Sequence, residues 1–545
     1  MPQPTIAIIG AGFSGTALSL WLQSSCPVGT RIYLIERGHR FAAGRAYATE
    51  NPSHLLNVPA GRMSMFPDLP QDFLRWLRQQ PKSRLGDVAP DEQAFVPRSL
   101  FGAYLQDRLA ASLSDTRASS LELLHDEVVR AEEGAEKVTL HLASGAKLNA
   151  DIAVLASGNA HPLPVHPNVA MLDAAGLWRG NPWTPAAFAG LASEAPVLLV
   201  GTGLTMVDDA GHTGPIHALS RHGLLPHRHA SPEAALVTLP TPLRTGIAPL
   251  IRFVRSEIAR SQAAGTDWRP VIDALRPLTQ NLWRGLSVSE RGRFLRHLRA
   301  FWDVHRHRIA PTVADRIQAA LASKQLHIHA GRITGLDVED AQASVTFRDR
   351  ITGAERSLQA ACVIDCTGPG ADVTQSTDPL MQTLLRAGIA RPDPLRLGLD
   401  VAADGAVLTR SGAPSSRLFA IGPLTKGASW EMTAVQELRT QCRNLARVLS
   451  GRLVHIGRPD GQPVACPTGD SAFRNSPLVR RERPKKPNSQ QINLSLPTTL
   501  QMVRRMFSYS SRRPAPATRA SDERKAMAGP IAILMRPDPR ERRCS

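Results

Sequence analysis

Gly10, Gly12 and Gly15 form a GxGxxG between the apolar run TIAII and the helix-periodic stretch FSGTALSLWLQSS, and Glu36 closes the next apolar run, RIYLIE. Each part suits one task in holding a dinucleotide. The first glycine permits a tight strand-to-helix turn, the second admits a pyrophosphate against the backbone, and the third lets helix and strand pack closely. The helix amino terminus, with Ser14 in its first turn, then meets the phosphates with its N–H groups and positive pole. An acidic side chain about 20 residues on accepts hydrogen bonds from the ribose hydroxyls. These parts in register predict a dinucleotide site. The glycines alone do not separate FAD from NAD, because both share the pyrophosphate and adenosine half.

A second pair, Gly201 and Gly203, follows APVLLV, with Met206 where a third glycine would stand. Eighteen residues lie between Gly12 and Arg31, but only 11 between Gly203 and Pro215. The strand VLLVG covers about 16 Å. A short helix, LTMVDDA, returns about 10 Å and GHTG extends about 13 Å, so the crossover closes with little slack. The expectation is a second dinucleotide turn, present but weakened. Arg221 and His222 follow PIHALS, where an Arg can pair with the 2′-phosphate of NADPH; a solvated Arg after a strand is the alternative.

Strands and helices must alternate to position such turns, and the apolar periodicity does so. The expected fold is α/β, with two Rossmann-like dinucleotide-binding domains. Residues 1–180 read as the first part of one domain, 181–355 as the second domain with a helical insertion at 245–323, and 356–451 as the return to the first. Residues 452–545 are rich in Pro, Ser and Arg and carry 19 Lys and Arg against 7 Asp and Glu. Such a composition buries too little apolar surface to offset chain entropy, so a disordered basic tail is expected. Of the net charge of +18, that leaves +6 for the first 451 residues, which makes nucleic acid a poor partner for the body. Tail contact with an anionic membrane or nucleic acid is a minor reading.

The six cysteines show no CxxC pair, and Cys362 and Cys366 in ACVIDCTG lie about 13 Å apart if that run is a strand. A thiol redox centre is not expected, nor is a metal site. With no signal-like amino terminus and no membrane-length apolar run, the location expected is the cytoplasm.

Longer stretches carry a family resemblance. ERGHRFAAGRAYATENPSHLLNVPAGRMSMFPDLPQDFLRWL, VLLVGTGLTMVD, GPIHALSRHGLLP, HLRAFWDVHRHRIAP and FAIGPLTKGASWEMTAVQELR resemble a bacterial family of FAD/NAD(P)-binding proteins. That family is related to two-dinucleotide-domain flavoproteins, some of them FAD-dependent hydroxylases; the likeness covers about residues 4–450. It implies FAD in the first site, with HLLNVPAGRMS beside the flavin and Asn57, Arg62 and Ser64 as polar contacts; a loop that merely folds against the domain, its polar residues serving turns, is the alternative. It also implies that the Val128 backbone meets adenine. The turns ASGN, with Gly158, and CTGP, at Cys366 to Pro369, would return the chain between domains. Past Gly422, KGASWEMTAV is expected to open a helix that aims its positive end at the flavin and runs about six turns to a terminating glycine. Pro423 stands where many such proteins carry an Asp. Trp430 and Glu431 are candidates beside the ring, with core packing and a solvated first-turn Glu as the alternatives.

The chemistry implied is hydride transfer from NADPH to FAD, then reaction of the reduced flavin with oxygen or another acceptor, on a small or anionic substrate. FAGLASE begins like the FxGxxxH of classical flavin monooxygenases but has Glu194 in the histidine position. His305, Arg306, His307 and Arg308 end a basic helix and either bind an anion or stabilise the helix terminus. The alternative function is a flavin-binding protein whose nicotinamide-driven catalysis is weak or lost.

Overall fold

The computed structural model describes residues 3–456 apart from 116–118, 161, 185–186, 207–211 and 231–245. The expectations for the basic tail beyond residue 456 lie outside the described residues. Among the described residues sixteen strands follow the apolar runs: β1 (Thr5–Ile9), β2 (Arg31–Glu36), β3 (Ser120–His125), β4 (Val128–Glu133), β5 (Val138–Leu142), β6 (Lys147–Ala150), β7 (Ile152–Leu155) and β8 (Trp178–Arg179). Then come β9 (Val197–Val200), β10 (Ile216–Ser220), β11 (Leu326–Glu339), β12 (Gln342–Asp349), β13 (Glu355–Ala360), β14 (Cys362–Asp365), β15 (Ala406–Leu408) and β16 (Pro414–Ala420).

The first sheet has the order β15-β16-β7-β1-β2-β3 and is parallel except at the β15 edge. Every residue of β1 and β7 is buried, as expected of parallel strands covered on both faces. One cover is the antiparallel meander β4-β5-β6 with the helix Pro379–Ala387; Leu140, Leu142, Leu380 and Leu384 join Ala7 and Ile9 in one apolar cluster. The helix Phe13–Ser25 is buried along most of its length, and the last helix, Val435–Ile456, packs along it through Cys442 on the Ser14 carbonyl and Ser450 on Ser25.

The second sheet has the order β13-β12-β11-β10-β9-β14-β8, with β11-β10-β9-β14-β8 parallel and β12 and β13 an antiparallel extension. It therefore takes in β8 and β14, which the expected boundaries at 180 and 355 assign to the first domain. Parallel pairing of Cys362–Asp365 with Val197–Val200 forces that change. The helix Pro311–Ala322 crosses from β10 to β11 and buries Val313, Ala314 and Ile317 against β9 and β10, so it belongs to this sheet and not to the insertion. The insertion itself is Ile247–Ala263, Arg269–Leu275, Thr279–Gly285, Val288–His297 and Arg299–Arg306. A capping box of Ser287 and Glu290 starts its fourth helix.

Among the described residues no helix is long and apolar enough to cross a membrane.

Candidate dinucleotide and flavin site

At the first turn the glycines are dictated by space. Gly10 has φ +105°, and a Cβ there would lie 2.6 Å from the Ala156 carbonyl oxygen; a Cβ on Gly15 would lie 1.9 Å from the Gly10 carbonyl oxygen. Gly12 differs: its added Cβ meets only the Gly44 Cα, at 3.7 Å. The space beside Gly12 is thus open enough for a ligand backbone. The helix that starts at Phe13 has no side-chain cap and no acidic residue in its first turn, leaving its positive end for an anion. The residues present fit a dinucleotide diphosphate.

Glu36, half-buried at the end of β2, accepts from the Ala11 amide at 2.8 Å and from the Gly38 amide at 2.9 Å. A carboxylate has about four acceptor positions, so two stay available for ribose hydroxyls. Ser14 and Gly422, 408 residues apart, are brought together: Gly422 has φ +76°, and a Cβ on it would sit 2.7 Å from the Ser14 Oγ. The Gln441 side chain accepts from the Gly422 amide and donates to Thr425, tying the end of β16 to the last helix. Val128 starts β4, buried, opposite Leu142.

The flavin-loop candidates divide. Arg62 is exposed in a short 3-10 turn, and its carbonyl accepts from the Gln436 side chain in the last helix. The Asn57 carbonyl accepts from His229 at 3.0 Å if that imidazole nitrogen carries the proton, joining the loop to the second domain. Burial and the Arg308 charge, opposed by that hydrogen bond, hold His229 down to about 4, so it is neutral at pH 7. Ser64 is fully buried and its hydroxyl bonds Phe66 and Leu69 of its own turn, so the turn claims it instead of a flavin.

The second turn repeats the construction of the first. Gly201 has φ +113°, and its Cβ would lie 2.4 Å from the Cys366 carbonyl oxygen, as that of Gly10 would from Ala156; the space around Gly203 is open. ASGN and CTGP are therefore equivalent turns, each passing under a first glycine, with Gly158 at φ +77° in open space. Thr202 donates to the Leu224 carbonyl and meets Ser220, fixing the turn to the end of β10. The expected helix LTMVDDA begins as a 3-10 turn at Leu204–Met206, and the rest of it lies outside the described residues. β9 and β10 still pair in parallel from Val197 and Ile216, so the short crossover closes. Phe188 and Leu191, from FAGLASE, pack with Leu204 on that face of the sheet. Arg221 is exposed just past β10, with His222 beside it, and burial plus the Arg350 and Arg221 charges lower the His222 imidazole.

The 422–437 segment departs most from expectation. A 3-10 turn spans Gly422–Thr425, turns follow, and the helix starts only at Val435; Glu431, at φ +62°, cannot sit in a right-handed helix. The helix also runs through Gly451 to Ile456 rather than ending at the glycine. Trp430 is buried and stacks on Trp283 of the insertion at 4.7 Å, which is core packing. Glu431 is not solvated: it is 3% exposed, and its carboxylate accepts from Trp302 at 2.6 Å and from Arg306 at 3.1 Å. Arg276 forms a two-pronged pair with Glu437 at 2.8 and 3.0 Å. Burial works against the Glu437 charge, yet the Arg276 hydrogen bond and charge, with Arg306, leave its carboxyl below the usual glutamate value. Arg308 pairs with Asp273. The basic helix end thus serves internal ion pairs, and the sequence reading missed their partners because these lie 35 to 125 residues away.

Cys362, Cys366 and Cys442 are buried free thiols with raised pKa values, caused chiefly by burial. They are inert in the sense that thiolate chemistry requires a lowered value.

Comparison with known proteins is consistent with this geometry. Residues 7–160 match a family model described as FAD-NAD(P)-binding. No curated protein matches the chain. Among solved structures, an ornithine N-hydroxylase from Kutzneria sp. 744, determined with reduced FAD, NADP+ and L-ornithine, is 13% identical, with a TM-score of 0.56 over 83% of this chain and 100% of that one. L-lysine 6-monooxygenase from Pseudomonas syringae is 15% identical, with a TM-score of 0.55 over 83% and 100%. A cadaverine monooxygenase from Erwinia amylovora, bound to FAD, is 12% identical, with a TM-score of 0.55 over 90% and 100%. At these identities the likeness is one of fold.

Proposed function

We propose that this chain, whose residues 7–160 match the FAD-NAD(P)-binding family model, is an FAD-dependent NADPH oxidoreductase, a monooxygenase of a small or anionic substrate. The observation that carries the reading is the repeated turn: Gly10 over Ala156 and Gly201 over Cys366 build two dinucleotide cradles of one design in one chain. Of the solved proteins of this fold, two are named as monooxygenases and one as an N-hydroxylase, which favours the same class here. Bound FAD would supply hydride acceptance and oxygen activation. The chain's own residues would then bind and orient: Glu36 would hold ribose, the Gly12 backbone and the Phe13 helix end would hold diphosphate, and Asn57 and Arg62 would be polar contacts for the flavin. Gly201, Gly203 and Arg221 would hold NADPH. Anaerobic NADPH should bleach the flavin of the purified protein; a flavin that stays oxidised at saturating NADPH favours the second reading.

That second reading, a flavin-binding protein with weak nicotinamide-driven catalysis, draws on the 3-10 turn after Gly203. A 3-10 turn offers a poorer N–H array to phosphate than the helix after Gly12.

A further inference from the structure

The seam between the helical insertion and the 426–437 segment is rich in charge. Four carboxylates there each have an arginine: Asp273 has Arg308, Asp303 has Arg299, Glu431 has Arg306, and Glu437 has Arg276, while Asp393, against Gly427, is held by the Leu395 and Leu397 amides. Lys426 has no such partner. Its ammonium lies 5.2 Å over the Trp430 ring and makes no hydrogen bond or ion pair with the described residues. Two buried N–H donors at the same seam also lack hydrogen-bond acceptors: Arg306 Nη2, which reaches a Glu437 carboxylate oxygen only as a long ion pair at 3.7 Å, and Trp430 Nε1. Arg306 is itself only 9% exposed. One acceptor is orphaned beside them, Gln280 Oε1, while the Gln280 amide nitrogen donates to the Trp430 carbonyl.

Orphaned buried donors are destabilising unless a partner arrives, and a partner for donors must carry acceptors. A surplus cation among matched pairs selects for negative charge on that partner. We infer that this seam is a substrate subsite for an anionic, acceptor-rich group such as a carboxylate or phosphate, read by Lys426 with the free N–H groups of Arg306 and Trp430. The inference rests on the flavoprotein reading and narrows it: the substrate enters with an anionic end, in contrast to a diamine. The orphaned Gln280 oxygen would take a hydroxyl or amide N–H of the same molecule.

The test uses the flavin-loaded full chain and follows tryptophan fluorescence, since Trp283 and Trp430 form the stacked pair at the seam. Glutarate and cadaverine serve as probes of equal carbon count and opposite charge, with benzoate and inorganic phosphate as further anions. At least one anion should give a saturable change, cadaverine none, and Lys426→Met, which keeps the chain's bulk over Trp430, should weaken the anion about tenfold or more. Arg306→Lys is the second variant, retaining a charge for Glu431. Saturation by cadaverine, no response to any anion, or anion binding unchanged in both variants would overturn the inference. Protein that folds but holds no flavin would instead indict the parent reading, because flavin content is measured first and separately.

Discussion

The Glu36 carboxylate closes the first glycine turn on itself, accepting from the Ala11 amide at 2.8 Å and from Gly38 at 2.9 Å. The residue assigned to ribose therefore also shapes the loop that receives the diphosphate. Glu36→Ala removes acceptors from two amides, a loss of about 1–3 kcal/mol if they remain unsatisfied. The variant should melt earlier than wild type and retain less flavin, read by thermal unfolding and visible absorbance. Unchanged melting together with full flavin content would contradict the assignment.

Gly12 and Gly15 should respond differently to the same substitution. A Cβ on Gly15 collides with the Gly10 carbonyl at 1.9 Å, whereas one on Gly12 reaches nothing nearer than 3.7 Å. Gly15→Ala should therefore lower stability strongly. Gly12→Ala should fold at close to wild-type stability yet lose most of its affinity for added FAD, because the methyl occupies the diphosphate's approach. Circular dichroism melts and FAD titration of both variants check this, and a Gly12→Ala variant that binds FAD normally would count against the site.

How much of this was legible in the sequence depends on the range of the interaction. The first turn was readable because Gly10, Gly12, Gly15 and Glu36 act within one strand-helix-strand unit, where spacing is geometry. The reach of the second sheet was not, since β14 joins it by pairing with Val197–Val200, more than 160 residues earlier. The last helix was placed too early because apolar spacing is blind to a single left-handed residue, Glu431. Ser64 is offered as a flavin contact by the family resemblance, which cannot tell whether a hydroxyl faces a cofactor or, as here, bonds its own turn. The buried Arg306–Glu431 pair spans 125 residues, and no local pattern announces it.

Arg221 carries the choice between nicotinamide cofactors. It is exposed past β10, and the Arg350 charge bears on the same His222 imidazole. Arg221→Ala should weaken NADPH about tenfold while leaving NADH nearly unchanged, since only the former presents a 2′-phosphate. Initial-rate flavin reduction at varied cofactor concentration measures it. Equal losses for both cofactors would remove Arg221 from that role.

Anion binding at the insertion seam should fade in alkali. Burial, the main cause, and the Arg299 charge bring the Lys426 ammonium down to about 8, against the opposing carboxylates of Asp303 on the insertion and Glu431 on its own segment. Lys426 is thus charged at pH 7 and loses its proton as pH rises through about 8. The affinity for a responsive anion should fall over that interval in the wild type and stay flat in Lys426→Met. A wild-type profile without that fall would place the recognition elsewhere.

The most direct measurement of the central claim, that the turn beginning at Gly10 holds a flavin, is the visible spectrum of the purified, folded chain before and after FAD is added and removed by gel filtration. The account predicts a yellow protein retaining close to one FAD per chain, with the yellow lost in Gly12→Ala. A colourless wild-type protein that is properly folded and releases all added FAD would contradict it.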